Sequence, residues 1–210
     1  MEKTTKERIL EEAVRLFSRR GYMGTSMSDI AGQLGITKAA LYKHYTGKQE
    51  ILDCIIQRID AMELARMRQY AMPEGCGEQL AAGYRELPLE HIQQFAEAQF
   101  LHWTEEGFSS CFRRMLTLEQ YRDPEMAKRY QHYLGSGPVS YMEELFGRMT
   151  GNAQEARQLA LSFYGPIVVL YSIYDETGER DAVLETLRHH VTWFSHVLEQ
   201  TSREGAESDD

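Results

Sequence analysis

The sequence predicts an all-α protein: an N-terminal three-helix helix-turn-helix head joined to a helical body, about nine helices in all. Three observations carry that prediction. The 210 residues include only five prolines, and Glu, Gln, Leu, Arg and Ala, which cost little in a helix, recur throughout. Apolar residues return at three- and four-residue intervals along most of the chain. Capping residues stand where those periodic runs begin. Apolar residues make up 42% and charged residues 26%, ordinary proportions for a globular chain with room for one large domain or two small ones.

The head is read first. Thr4 and Glu7 form a capping-box pair, and Ile9, Ala13, Leu16 and Phe17 fall on one face of the helix that follows. Gly21 stops that helix, with Arg19 and Arg20 in its last turn. Thr25 or Ser26 caps a second helix, "SDIAGQL", that buries Ile30, Ala31 and Leu34. Gly35 supplies a left-handed turn position. Ile36 points inward and Thr37 begins a third helix, "KAALYKHY", with Ala40, Leu41 and Tyr45 inside. Thr46 with Gln49 repeats the capping pattern and opens a fourth helix at about Lys48. The spacing of Ala31, Gly35 and Leu41 is that of a helix-turn-helix over about 26–45: a small residue at the crossing, a turn glycine, then an apolar lock.

Charge points the same way. Residues 1–50 hold nine Lys/Arg against six Asp/Glu, a net of +3 in a chain of net −9, leaving −12 for the rest. A basic head on an acidic body is the pattern of a polyanion-binding module. Outward positions at the start of the third helix then become the candidate contacts. Thr37, Lys38 and Ala39 lie at the end of the helix that reaches base edges; Ala39 is small enough to meet a thymine methyl, and Lys38 suits a guanine edge or, as Lys more often does, a phosphate. Tyr42, Lys43 and Lys48 suit phosphates, as do the hydroxyls of Thr25 and Ser26, while His44 is either a contact or structural.

These residues carry a family likeness. The runs "A..LF...GY..TS...IA..LG" and "T.AALY.HY..K..IL", within "RILEEAVRLFSRRGYMGTSMSDIAGQLGITKAALYKHYTGKQEIL", resemble the DNA-binding domain of the tetracycline-repressor (TetR) family of bacterial transcriptional regulators. The resemblance covers residues about 5 to 55 and includes Gly21, Thr25, Ile30, Ala31, Gly35, Leu41, Tyr42, Tyr45 and Lys48. Thr37 stands where Ser is common, Ala39 where Gly is, Lys43 where a second aromatic is, and Tyr45 where Phe is. The resemblance implies a homodimer with two heads on a ligand-sensing body. It also implies that a small-molecule inducer, here of unknown identity, shifts the heads and releases a palindromic double-stranded operator, most members being repressors. The implied division is 1–48 head, 49–201 ligand-binding and dimerisation domain, and 202–210 a disordered acidic tail.

The body reads as helices separated by polar breaks. The fourth helix runs to about Arg68, "MPEGCGE" at 72–78 is a loop, and helices follow near 78–85 and 88–105. Gly107 breaks the chain before "SSCFRRMLTLEQY"; Asp123 with Pro124 starts another helix, interrupted by "GSGP" at 135–138. Asn152 and Glu155 open a long helix ended by Gly178, and the last runs from about Arg180 to Gln200. Leu159, Phe163, Ile167 and Leu170, then Leu184, Leu187, Val191, Phe194 and Leu198, form stripes that predict a symmetric four-helix dimer interface. A second line in the penultimate helix, through Leu161, Tyr164, Val168 and Tyr171, makes that helix apolar on two sides. Phe100, Trp103, Phe112, Met115, Tyr121, Tyr164, Tyr171 and Tyr174 are candidates for a sensor pocket, apolar with polar tips; aromatics at this spacing also build cores.

Other chemistry finds no foothold. Three cysteines without paired spacing, no signal-type apolar start and no spanning run predict a cytoplasmic protein with no membrane contact. The histidines lack ligand spacing, and no phosphate loop, nucleophile elbow or zinc-helix motif occurs. No metal, no cofactor and no enzyme activity are expected. The competing reading is a helical DNA-binding or interaction protein that senses no small molecule.

Overall fold

Thr4 opens the first helix as the sequence requires: its hydroxyl accepts from the Glu7 amide at 3.2 Å while the Glu7 carboxylate accepts from the Thr4 amide at 2.7 Å. In a computed structural model that describes residues 3–208, eleven helices are found among the described residues, and the fold is all-α. They are α1 (Thr5–Arg20), α2 (Met27–Gln33), α3 (Lys38–Tyr42), α4 (Lys48–Gln69), α5 (Gly77–Glu86), α6 (Leu89–Thr104), α7 (Gly107–Glu119), α8 (Pro124–Leu134), α9 (Ser136–Thr150), α10 (Ala153–Thr177) and α11 (Arg180–Ser208). The count exceeds the expected nine, and the "GSGP" stretch reduces to a break at Gly135 that separates α8 from α9.

The chain divides into two units, one of residues 1–65 with 105–130, the other of 66–104 with 131–210. In the first, Ile9, Ala13 and Phe17 of α1 are fully buried, as are Ile51, Ile55 and Ile59 of α4 and Phe112, Met115 and Leu116 of α7. Fully burying such side chains is worth about 1.5–3 kcal/mol each. Thus the first fifty residues do not complete their own core, as an expected head of 1–48 implied. The start of α4 and the distant α7, which packs on α1, share it.

In the second unit α10 packs against α9, α11 and α6, and α5 packs on α9. Asn152 caps α10 by accepting from the Glu155 amide, and Gly178 ends it in the left-handed region at φ 67°. α11 continues to Ser208 rather than stopping near Gln200. The backbone of 202–208 is therefore helical where a disordered tail was expected, and residues 209–210 of that expectation lie outside the described residues. Among the described residues no helix is long and apolar enough to cross a membrane.

Candidate nucleic-acid interface

Two short helices make the candidate surface, and local chemistry builds both. Ser26 caps α2: its hydroxyl accepts from the Asp29 amide at 3.2 Å, and the Asp29 carboxylate accepts from the Ser26 amide at 2.7 Å. The Ser26 hydroxyl and then the Ser26 amide, both donating to that carboxylate, hold the Asp29 carboxyl below its ordinary range. Gly35 sits at φ 66°, the left-handed turn position, and the Ile36 amide donates to the Ala31 carbonyl at 3.0 Å. Thr37 caps α3 by accepting from the Ala40 amide at 3.1 Å. Ile30 and Leu41 are fully buried and Ala31 nearly so, so the crossing is closed by the residues whose spacing predicted it.

The outward positions follow. Thr37, Lys38, Ala39, Tyr42 and Lys43 are exposed together on α3 and its flanks, and His44 is half-buried. The Lys38 ammonium lies 5.9 Å from the centre of the Tyr42 ring. Tyr45 is turned inward, its hydroxyl donating to the Lys6 carbonyl at 3.3 Å. The Lys6 ammonium of α1 lies 5.8 Å from the centre of that ring. The sequence reading did not include Lys6, since nothing near it in the chain marks it.

Three predicted contacts have their polar atoms engaged inside the head. Thr25 is buried, and its hydroxyl donates to the Gly21 carbonyl at 2.9 Å. The Lys48 ammonium donates to the Tyr22 and Thr25 carbonyls at 2.7 and 2.9 Å and lies 4.3 Å from the Tyr22 ring centre. Ser26 is exposed, but its hydroxyl belongs to the capping box. Burial lowers the Lys48 pKa, and the charge of Glu119 opposes that shift. Thr46 pairs with Glu50 rather than Gln49, because the Gln49 amide oxygen accepts from the Tyr22 hydroxyl at 3.1 Å.

The predicted sensor residues divide between the units. Phe112 and Met115 are fully buried in the first. In the second, Phe100 stacks on Tyr171 at 5.1 Å and meets Tyr174 edge-on at 5.9 Å, Trp103 is buried, and the Tyr164 hydroxyl donates to the Leu134 carbonyl at 3.2 Å. Tyr121 is 89% exposed, so it lines no interior cavity. A cavity of about 300 Å³ in the first unit is lined by Lys3, Glu11, Val14, Arg15, Arg58, Glu106, Gly107 and Phe108, none of them predicted.

The predicted dimer stripe lies largely inside the chain. Leu159, Ile167, Leu170, Leu184, Leu187, Val191 and Phe194 are buried within the chain itself, with Phe163 and Leu198 half-buried. Phe163, Phe194 and Phe146 meet ring to ring. The apolar residues left in the open are Leu161, Val169 and Ile173 of α10 and Trp193 of α11, between 41% and 58% exposed. Among the described residues no group of three or more metal-ligating side chains assembles.

Residues 9–55 match the family model described as bacterial regulatory proteins, tetR family. The chain is 48% identical over 46 residues to the biofilm operon icaADBC HTH-type negative transcriptional regulator IcaR of Staphylococcus epidermidis, covering 22% of this chain and 25% of that protein. The match thus spans about a quarter of the length of this relative. Across the fold, the fatty acid degradation regulator FadR from Bacillus halodurans superimposes with a TM-score of 0.61 at 16% identity, covering 91% of this chain and 96% of its own. AibR in complex with isovaleryl coenzyme A and operator DNA gives 0.60 at 22% identity, covering 87% and 95%. At such identities these likenesses speak for the shared all-α fold.

Proposed function

We propose that this chain, whose residues 9–55 match the tetR family of bacterial regulatory proteins, is a ligand-responsive repressor that binds a palindromic operator as a homodimer. The observation that carries the reading is the exposed set Thr37, Lys38, Ala39, Tyr42 and Lys43 on a capped helix-turn-helix in the basic part of an acidic chain. On this reading its N-terminal residues read base edges, and Tyr42 and Lys43 hold the backbone.

Repression is supported by the likeness to IcaR, a negative regulator by name. Sensing is supported by AibR, whose complex holds both isovaleryl coenzyme A and operator DNA. Dimerisation is supported by the open apolar side chains of α10 and α11, since two half-sites one helical turn apart call for two-fold symmetry. The covering surface is then Leu161, Val169, Ile173 and Trp193 rather than the buried stripe. For the inducer site, Phe100, Trp103, Tyr164, Tyr171 and Tyr174 are the proposed lining in the second unit.

The test is selection of bound duplexes from a randomised pool by the full chain, then fluorescence anisotropy on the recovered sequence. An inverted repeat is expected. Lys43→Ala and Tyr42→Ala weaken binding while helicity persists, and Lys43→Ala lowers the salt slope by about 1 per half-site. Recovery of no preferred sequence, or variants that bind like the parent, overturns the reading. A compound screen on the same complex then separates a sensor, which releases the duplex, from a DNA-binding protein indifferent to small molecules.

A further inference from the structure

The cavity of about 300 Å³ in the first unit lies between α1, α4 and the start of α7, and its volume is at the lower bound of small-molecule sites. Its apolar lining is Val14 and Phe108, both buried. The Arg58 guanidinium lies over the Phe108 ring, 4.1 Å from its centre. Among the described residues that guanidinium makes one hydrogen bond, from Nη2 to Glu11 Oε1 at a long 3.4 Å, although it carries five N–H donors. The other Glu11 oxygen accepts from the Lys3 ammonium at 2.8 Å. Three cations, Lys3, Arg15 and Arg58, against the carboxylates of Glu11 and Glu106 give the lining a net +1 in a chain of net −9. A packed interior keeps few voids larger than a water, and a partly exposed Arg–Glu pair adds only about 0–1 kcal/mol. Stability therefore gives little reason for an open, charged recess beside this core.

We propose that this cavity is a binding site for a small aromatic carboxylate. The carboxylate takes the Arg58 N–H groups that Glu11 leaves over, a planar fork that matches its two oxygens. Lys3, with a side chain 61% exposed, is long and unconfined enough to close on the same group. The ring of the ligand lies along the guanidinium and Phe108, the flat part of the recess. Every lining residue belongs to the first unit, so this site is distinct from the inducer lining proposed in the second, and it holds whether or not the chain binds DNA.

The experiment titrates the full chain, its valine methyls isotope-labelled, with benzoate as the probe. The Val14 methyl signals, assigned by their loss in Val14→Ile, are expected to shift and saturate, because a bound ring imposes its ring current on them. Benzamide, of the same shape without the charge, and inorganic phosphate, charged without the ring, are expected to bind about tenfold more weakly or not at all. Arg58→Met is expected to weaken benzoate by about tenfold, the loss of a hydrogen-bond donor to a charged group. Should Arg58→Met lose helicity, Lys3→Met removes the second cation at an exposed position and is expected to weaken benzoate in the same direction. Val14 signals that stay still while those of Val183 or Val191 in the second unit move overturn the inference, as do Val14 signals that no titrant moves. Benzamide or phosphate binding as well as benzoate, or a cation variant that folds and binds within about twofold of the parent, overturns it too.

Discussion

Ser26, Thr4 and Thr46 each hold a carboxylate three or four residues on, and each pair lowers that carboxyl's pKa. Asp29 and Glu7 are held down chiefly by bonds to Ser26 and Thr4, and Glu50 by bonds to Thr46, from ordinary values of 3.8 for Asp and 4.5 for Glu. A carboxyl depressed in the folded state stabilises it above the unfolded pKa, and that contribution is lost as pH falls through the folded value. The head is therefore expected to lose stability on acidification below about pH 4.5, and Ser26→Ala to cost about 1 kcal/mol near neutrality while flattening the acid limb. Urea melts at a series of pH values check both. Gly21→Ala should cost more than about 1 kcal/mol, since its φ of 80° and the Glu119 carboxylate both refuse a side chain. The caps at Thr4, Ser26, Thr37, Asp123 and Asn152 were legible because capping is settled within four residues. Gln49 was misjudged because its partner, Tyr22, is twenty-seven residues away. The bonds of Thr25 and Lys48 were hidden for the same reason: a hydroxyl or ammonium looks free in a sequence until the carbonyls around it are known.

At the scale of the element, α10 and α11 show what periodicity can and cannot say. It marks both helices as apolar on more than one side; it cannot say which side the chain covers itself. The stripe through Leu187 and Phe194 is the inner one, tied by rings from Phe146 and Phe163 and by the His190 imidazole against the Phe163 carbonyl at 2.8 Å. The outer side, Trp193 among its residues, falls off that stripe. The two sides predict different failures. Leu187→Ala empties a fully buried position and should cost about 2–5 kcal/mol of folding stability in a denaturant melt. Trp193→Glu or Val169→Glu should leave the fold intact and halve the mass seen by light scattering. A Trp193→Glu variant that keeps the mass of two chains would remove that surface from the dimer.

Across the whole molecule, composition and helical period were enough for the all-α class, and the charge split between residues 1–50 and the remainder marked the head. The discontinuity of the first unit was not legible. No local signal tells a reader that Phe112, Met115 and Leu116 complete a core begun by Ile9, Ala13 and Phe17, because the contact joins segments about a hundred residues apart. That discontinuity bears on how the protein comes apart. The loop at Glu74, Gly75 and Cys76 is exposed and invites a protease. A single nick there separates α1–α4 from α7 in sequence but not in space, so both fragments should elute together in native buffer and part only in denaturant. Anyone grafting this head onto another protein would likewise have to carry residues 105–130 with it, because a cassette cut after α4 leaves behind Phe112, Met115 and Leu116.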